Sequence, residues 1–203
     1  MLGVVKPQEV DQVRPPLIAM LEAALSEERG DFPLIRSGRV REALGKEPYR
    51  RILLIEEYQG ALDSAALREI SDSLRGLARF VLVARVESDR LRYSARNVNE
   101  ADTAQMRPDF VMGITGRDAR VSVQLYDVSK RALVLGVKYV GSSENEKPIP
   151  ASAARRGSRA GVNVEVLPQV PPEDQGYPDP PELARALEEP FRSFARGLPQ
   201  SSP

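Results

Sequence analysis

The chain has 203 residues, 41% of them hydrophobic, enough for a sizeable core in one full-sized domain with a tail, which is the preferred reading, or for two very small domains. Lys+Arg and Asp+Glu each number 29, so no net field draws the molecule to a polyanion or an acidic membrane face, and nucleic acid is not favoured as a partner. With neither Cys nor His, the chain cannot form disulfides, thiolate nucleophiles, a Ser-His-Asp triad or the usual zinc and haem ligand sets, which leaves only carboxylate, Lys, Tyr or Ser chemistry.

No stretch approaches the roughly 18 to 20 apolar residues of a membrane-spanning helix, and Met1-Leu2-Gly3-Val4-Val5-Lys6 is too short for a signal peptide. Leu2 to Val5 reads as a short strand ended by Lys6-Pro7. After Pro15-Pro16, Leu17, Met20, Leu21, Ala24 and Leu25 fall on one helical face, with Gly30 at the C-cap. Asp31 to Ile35 is expected to be a short strand. Ser37 is expected to cap a helix through Val40, Ala43 and Leu44 that stops at Gly45. Tyr49 to Tyr58, with Ile52, Leu53 and Ile55, fits a helix that ends before Gly60. Asp63 then caps a further helix with the stripe Leu67, Ile70, Leu74 and Leu77.

Phe80-Val81-Leu82-Val83-Ala84-Arg85-Val86 is an almost unbroken apolar run rich in β-branched residues, which predicts a central strand covered on both faces, with Phe80, Leu82, Val83 and Val86 almost fully buried. Val121, Val123 and Leu125 alternate with Ser122, Gln124 and Tyr126. After Asp127 to Arg131 the alternation resumes at Leu133, Leu135, Val137 and Tyr139, so the pair reads as a hairpin with one buried face. Asn97 to Gly116, polar and glycine-containing, is expected to be a loop or protruding arm. The eight prolines between Ser142 and Pro181 predict an extended, polyproline-like linker. Asp179-Pro180-Pro181-Glu182 then starts a terminal helix whose stripe is Leu183, Leu187, Phe191, Phe194 and Leu198, and Pro190 should kink or divide it.

The expected architecture is α/β: a mixed sheet with amphipathic helices and a long antiparallel hairpin in residues 1–141, a proline-rich linker over 142–181, and a C-terminal helix and tail over 182–203.

Motifs for chemistry are sparse. Gly113-Ile114-Thr115-Gly116 runs into a strand instead of joining two helices, so it reads as an ordinary turn and not a KH-type loop. Gly45-Lys46 is followed by Glu47-Pro48, so no phosphate-binding loop is present. Glu56-Glu57 diverge by about 100° on a helix and cannot flank a bond, so they read as a solvated face. No catalytic, metal or cofactor residue is assigned, and no cofactor is expected. Lys130 and Arg131 at the hairpin tip, and Arg155-Arg156 with Arg159, read as a solvated turn and linker, with an anion or partner site as the functional alternative. Lys130, Arg131, Phe191 and Phe194 are the candidate interaction residues. The terminal stripe is expected to dock on its own domain, with a partner's groove as the alternative.

The order of elements, with Phe80-Val81-Leu82-Val83-Ala84 and Val121-Ser122-Val123-Gln124-Leu125-Tyr126-Asp127-Val128, resembles the CsgG-like group of bacterial envelope lipoproteins. That group includes the curli-export pore protein, penicillin-binding-protein activators and the related amino-terminal domain of TolB. The likeness covers roughly residues 2–141. Ser129-Lys130 stands where the group usually has Thr-Gly in the hairpin turn. The resemblance implies a periplasmic or outer-membrane-associated accessory or assembly protein that acts by protein binding or self-association. A lipid anchor follows only if the native start lies upstream and supplies a Cys. Two rival readings are a cytoplasmic nucleic-acid or nucleotide-binding module using the arginines from Arg92 to Arg120, and a carboxylate-dependent hydrolase.

Overall fold

The computed structural model describes residues 1–6, 14–97, 110–152 and 176–199. Among these residues lie five helices and one mixed sheet, an α/β fold. The strands are β1 (Gly3–Val5), β2 (Phe80–Arg96), β3 (Phe110–Asp127) and β4 (Ala132–Pro150). They are hydrogen-bonded in the order β1-β2-β3-β4. β1 runs parallel to β2 with Val4 opposite Ala84, and the other pairs are antiparallel. The helices are α1 (Arg14–Glu28), α2 (Ser37–Leu44), α3 (Lys46–Gln59), α4 (Ser64–Leu74) and α5 (Leu183–Gly197).

By contact density the chain divides into two compact units. The first comprises Met1–Ser88, Ala119–Gly141 and Leu187–Pro203. Its core joins Leu2 and Val5 of the amino-terminal segment to Val40 and Leu44 of α2, Ile52 and Leu53 of α3, Ala66, Ile70 and Leu74 of α4, and Val81, Val83 and Tyr126 of the sheet. Because side chains alternate along a strand, Leu82, Ala84 and Val86 point the other way, and they are buried as well. β2 is thus covered on both faces, as its continuous apolar run predicts. Phe80 is the exception: at the first position of the strand it is 39% exposed, with the Arg79 guanidinium 5.0 Å from its ring centre.

Local chemistry explains several helix ends. Asp63 accepts the Ala66 amide at 2.8 Å as the cap of α4. Gly45 separates α2 from α3 at φ 84°, and Gly60 closes α3 in the left-handed region at φ 73°. Ser37 does not cap α2; it is the first helical residue, and its amide donates to Glu22 Oε1 at 2.7 Å. Nor does Gly30 cap α1 in a left-handed conformation, since its φ is not positive.

Asp31 to Ile35 forms no strand. Arg29 grips Asp31 with Nε and Nη2, each at 2.8 Å, and Pro33 offers no amide to a ladder. The Ile35 carbonyl instead accepts from the amino terminus at 2.6 Å.

α5 runs through Pro190 as one helix, so the proline does not divide it. From Leu187 onward its apolar face is interior to the first unit: Leu187, Phe191, Phe194 and Ala195 are buried. Arg192 pairs with Glu27 and Glu28 of α1 at 3.0 and 3.2 Å, and Arg29 Nη2 donates to the Pro199 carbonyl at 2.8 Å. The terminal helix therefore docks on its own chain.

The second unit comprises Asp89–Asp118 and Ser142–Ala186. The expected linker begins too early, since Ser142–Pro150 continues β4, and the expected arm ends too late, since Phe110–Gly116 belongs to β3. Residues 98–109 and 153–175, including Arg155, Arg156 and Arg159, lie outside the described residues. Gly113-Ile114-Thr115-Gly116 is strand and not a turn. A Cβ on Gly113 would come within 2.7 Å of Ile149 Cδ1, and one on Gly116 within 2.9 Å of the Arg92 side chain. The glycines make room for side chains from the neighbouring strands. Thr115 Oγ1 donates to the Pro178 carbonyl at 2.6 Å, and Tyr93 meets Tyr177 edge to face at 5.7 Å.

Candidate interaction site

The turn between β3 and β4 is built by Asp127. Its carboxylate accepts from the Ser129 amide at 2.9 Å, the Ser129 hydroxyl at 2.6 Å and the Lys130 amide at 2.9 Å. These donors hold its pKa below the ordinary aspartate value. A self-bonding Asp with Ser two residues on replaces the glycine turn usual at such a corner. The consequence is that Arg131 takes φ 54°, a region that side-chain-bearing residues adopt at some cost. Lys130 and Arg131 are both exposed, and Arg131 reaches Asp72 of α4 at 3.3 Å.

Arg131 also lines an open cavity of about 560 Å³ between the end of α4, the segment leading into β2, and this turn. Its other walls include Ser71, Arg75, Leu77, Arg79 and Val128. Sequence reasoning found Arg131 and missed Arg75 and Arg79, because the positions are brought together only by the β2–β3–β4 meander. Phe191 and Phe194, at 0% and 1% exposure, are core residues and present no surface to a partner.

Among the described residues β4 stands last in the sheet order, with no further strand on one of its edges. Leu133, Val134 and Val140 on it are 52%, 55% and 69% exposed. The signal was present in the sequence: Val134 and Val140 are apolar at positions where the alternation of Leu133, Leu135, Val137 and Tyr139 calls for polar residues.

Glu56 and Glu57 are not a solvated face. They are 1% and 7% exposed, because α3 turns that side toward the sheet. Near Glu56, Tyr126 accepts the Leu62 amide at 3.0 Å and donates to Gln124 Oε1, while Gln124 Nε2 donates to the Gly60 carbonyl at 2.7 Å. Glu56 Oε2 and Arg85 Nε have no hydrogen-bond partner among the described residues. Burial pushes the Glu56 carboxyl up to about 7, with the Arg85 charge acting in the opposite direction. Glu56 and Glu57, adjacent on one helix and about 100° apart around it, do not supply the two converging carboxylates that glycoside hydrolysis needs.

Three of the arginines from Arg92 to Arg120 face acids. In the second unit Arg92 pairs with Asp118 at 3.0 Å and with Glu144, Arg96 with Glu146 at 2.6 Å, and Arg117 with Asp89 at 3.3 Å. Guanidiniums so engaged are poorly placed to neutralise phosphates. Among the described residues no group of acidic side chains is arranged to hold a metal ion, and no helix is long and apolar enough to cross a membrane. No protein-family model matches the chain, and no curated protein matches it.

Proposed function

We propose that this chain is a non-catalytic binding and assembly module that works through protein contacts at the outer edge of β4, pairing there with a second copy of itself. The observation that carries the reading is the apolar character of that edge, where Val134 and Val140 are 55% and 69% exposed. An outward strand edge is a template for pairing with another strand, and soluble proteins ordinarily blunt it with charge, proline or a covering segment.

The sequence of β4 is compatible with antiparallel self-pairing about a two-fold axis at Val137. That register sets Val134 opposite Val140 of the second copy, Leu135 opposite Tyr139, and Gly136 opposite Lys138. Shifting the axis to Lys138 would set two lysines face to face. Lys138 is already neutralised within its own chain by Glu87 at 2.8 Å. The envelope setting rests on the resemblance of Phe80–Ala84 and Val121–Val128 to the CsgG-like group.

Sedimentation equilibrium over a range of concentrations tests the pairing. A reversible dimer is expected, and Val134→Lys together with Val140→Lys should yield a folded monomer whose melting temperature, unlike that of the wild type, does not depend on protein concentration. Since the chain has no cysteine, Val134→Cys with Val140→Cys should give a cross-linked dimer under oxidation. A wild-type chain that remains monomeric throughout, or a dimer indifferent to both lysines, would refute self-pairing. Fractionation of cells that express the protein from its native start tests the setting, and recovery wholly in the cytosol would remove the envelope.

A further inference from the structure

We propose that the cavity between α4 and the β3–β4 turn is a binding site for a compact phosphate-bearing anion. Three arginines, Arg75, Arg79 and Arg131, line it, and among the described residues no acidic one does. In a chain with 29 basic and 29 acidic residues, a concavity of one sign is not a consequence of composition.

The charge state of the surroundings supports this. Among the described residues the side chains of Arg75 and Arg79 enter no ion pair and no hydrogen bond; Arg79 is steered only by the Phe80 ring, 5.0 Å away. Arg131 has one carboxylate partner, Asp72, at 3.3 Å, with both side chains substantially exposed, so an anion can compete for it. The neighbouring acid, Asp127, is turned into its own loop by the Ser129 and Lys130 amides and the Ser129 hydroxyl. Gly76, which also lines the cavity, has nothing within 4 Å of where a Cβ would stand.

Planar guanidiniums bind phosphate oxygens through paired N–H donors. A volume of about 560 Å³ exceeds what a bare phosphate fills, and Leu77 and Val128 offer an apolar wall for a small organic substituent. The chemistry required is that of a phosphate ester, which either a free metabolite or the headgroup of an anionic lipid supplies. The inference uses no residue of the β4 edge and is independent of the pairing proposed above.

The test is titration of the full chain with inorganic phosphate and with glycerol phosphate, with sodium chloride at equal ionic strength as control. Saturable binding is expected, with amide NMR shifts centred on Gly76, Leu77 and Ser129 and a raised melting temperature that chloride does not reproduce. Arg75→Gln with Arg79→Gln should weaken binding roughly tenfold or more. Co-sedimentation with phosphatidylglycerol vesicles, but not with phosphatidylcholine, identifies a headgroup; binding of glycerol phosphate without vesicle association identifies a free ester. Shifts scattered over the surface, a chloride response equal to that of phosphate, or a double variant that binds as the wild type does would each overturn the site. The NMR arm uses the wild-type chain and holds even if the double variant fails to fold.

Discussion

The hydroxyl of Tyr126 accepts the amide proton of Leu62 at 3.0 Å, fastening the segment after α3 to β3, an inner strand of the sheet. Tyr126 is 2% exposed, so the amide it satisfies has little water to fall back on. Tyr126→Phe keeps the ring and removes the acceptor. A loss of about 1 to 3 kcal/mol is expected, the cost of an orphaned buried donor, read as a lower urea midpoint with an unchanged slope. A midpoint equal to that of the wild type would show the bond contributes nothing.

Glu56 makes stability depend on pH. Its folded pKa, about 7, lies above the ordinary 4.5, so the native state holds the proton more tightly than the unfolded chain does. The stabilising contribution of the neutral acid is complete below 4.5 and is lost as the pH rises through about 7. Glu56→Gln mimics the neutral form at every pH. The variant should match the wild type in acid and exceed it above neutrality by on the order of 2 kcal/mol. Parallel stability–pH curves for the two proteins would contradict this.

Gly113 and Ile149 should be coupled. Gly113→Ala places a methyl within 2.7 Å of Ile149 Cδ1, and a loss of about 1 to 3 kcal/mol from overpacking is expected. Ile149→Val deletes that terminal carbon, so in the double variant much of the alanine's cost should disappear. Additive effects in the double-mutant cycle would mean the two strands do not meet there.

The carboxyl-terminal helix is a structural part of the first unit. Phe191→Ala should cost about 3 to 5 kcal/mol, as removal of a fully buried aromatic ring does. Deleting residues 180–203 should lower the melting temperature and increase hydrophobic-dye binding without abolishing the fold. A truncated chain with unchanged melting and dye binding would detach the helix from the domain.

Much of the secondary structure could be read from local pattern because its causes are local. The stripe Leu17, Leu21, Ala24, Leu25, the Asp63 cap and the run from Val81 to Val86 each express their element within a few residues, and all are found as expected. The failures fall where a distant residue decides. Asp31–Ile35 has strand-like composition, yet its Ile35 carbonyl accepts from the amino terminus of the chain and not from a strand ladder. Gly113 and Gly116 look like turn residues until Ile149 and Arg92 are brought against them.

By itself, the sequence determined the α/β class, the helical and strand periodicities, and the exclusion of thiol and imidazole chemistry, since these depend only on which side chains exist and how they are spaced. The tertiary structure alone decided that Glu56 faces inward, that Phe191 and Phe194 are core, and that Arg75, Arg79 and Arg131 share one cavity. A helix face or a cluster of charges has no fixed environment until other elements pack beside it, and burial and field are properties of those neighbours.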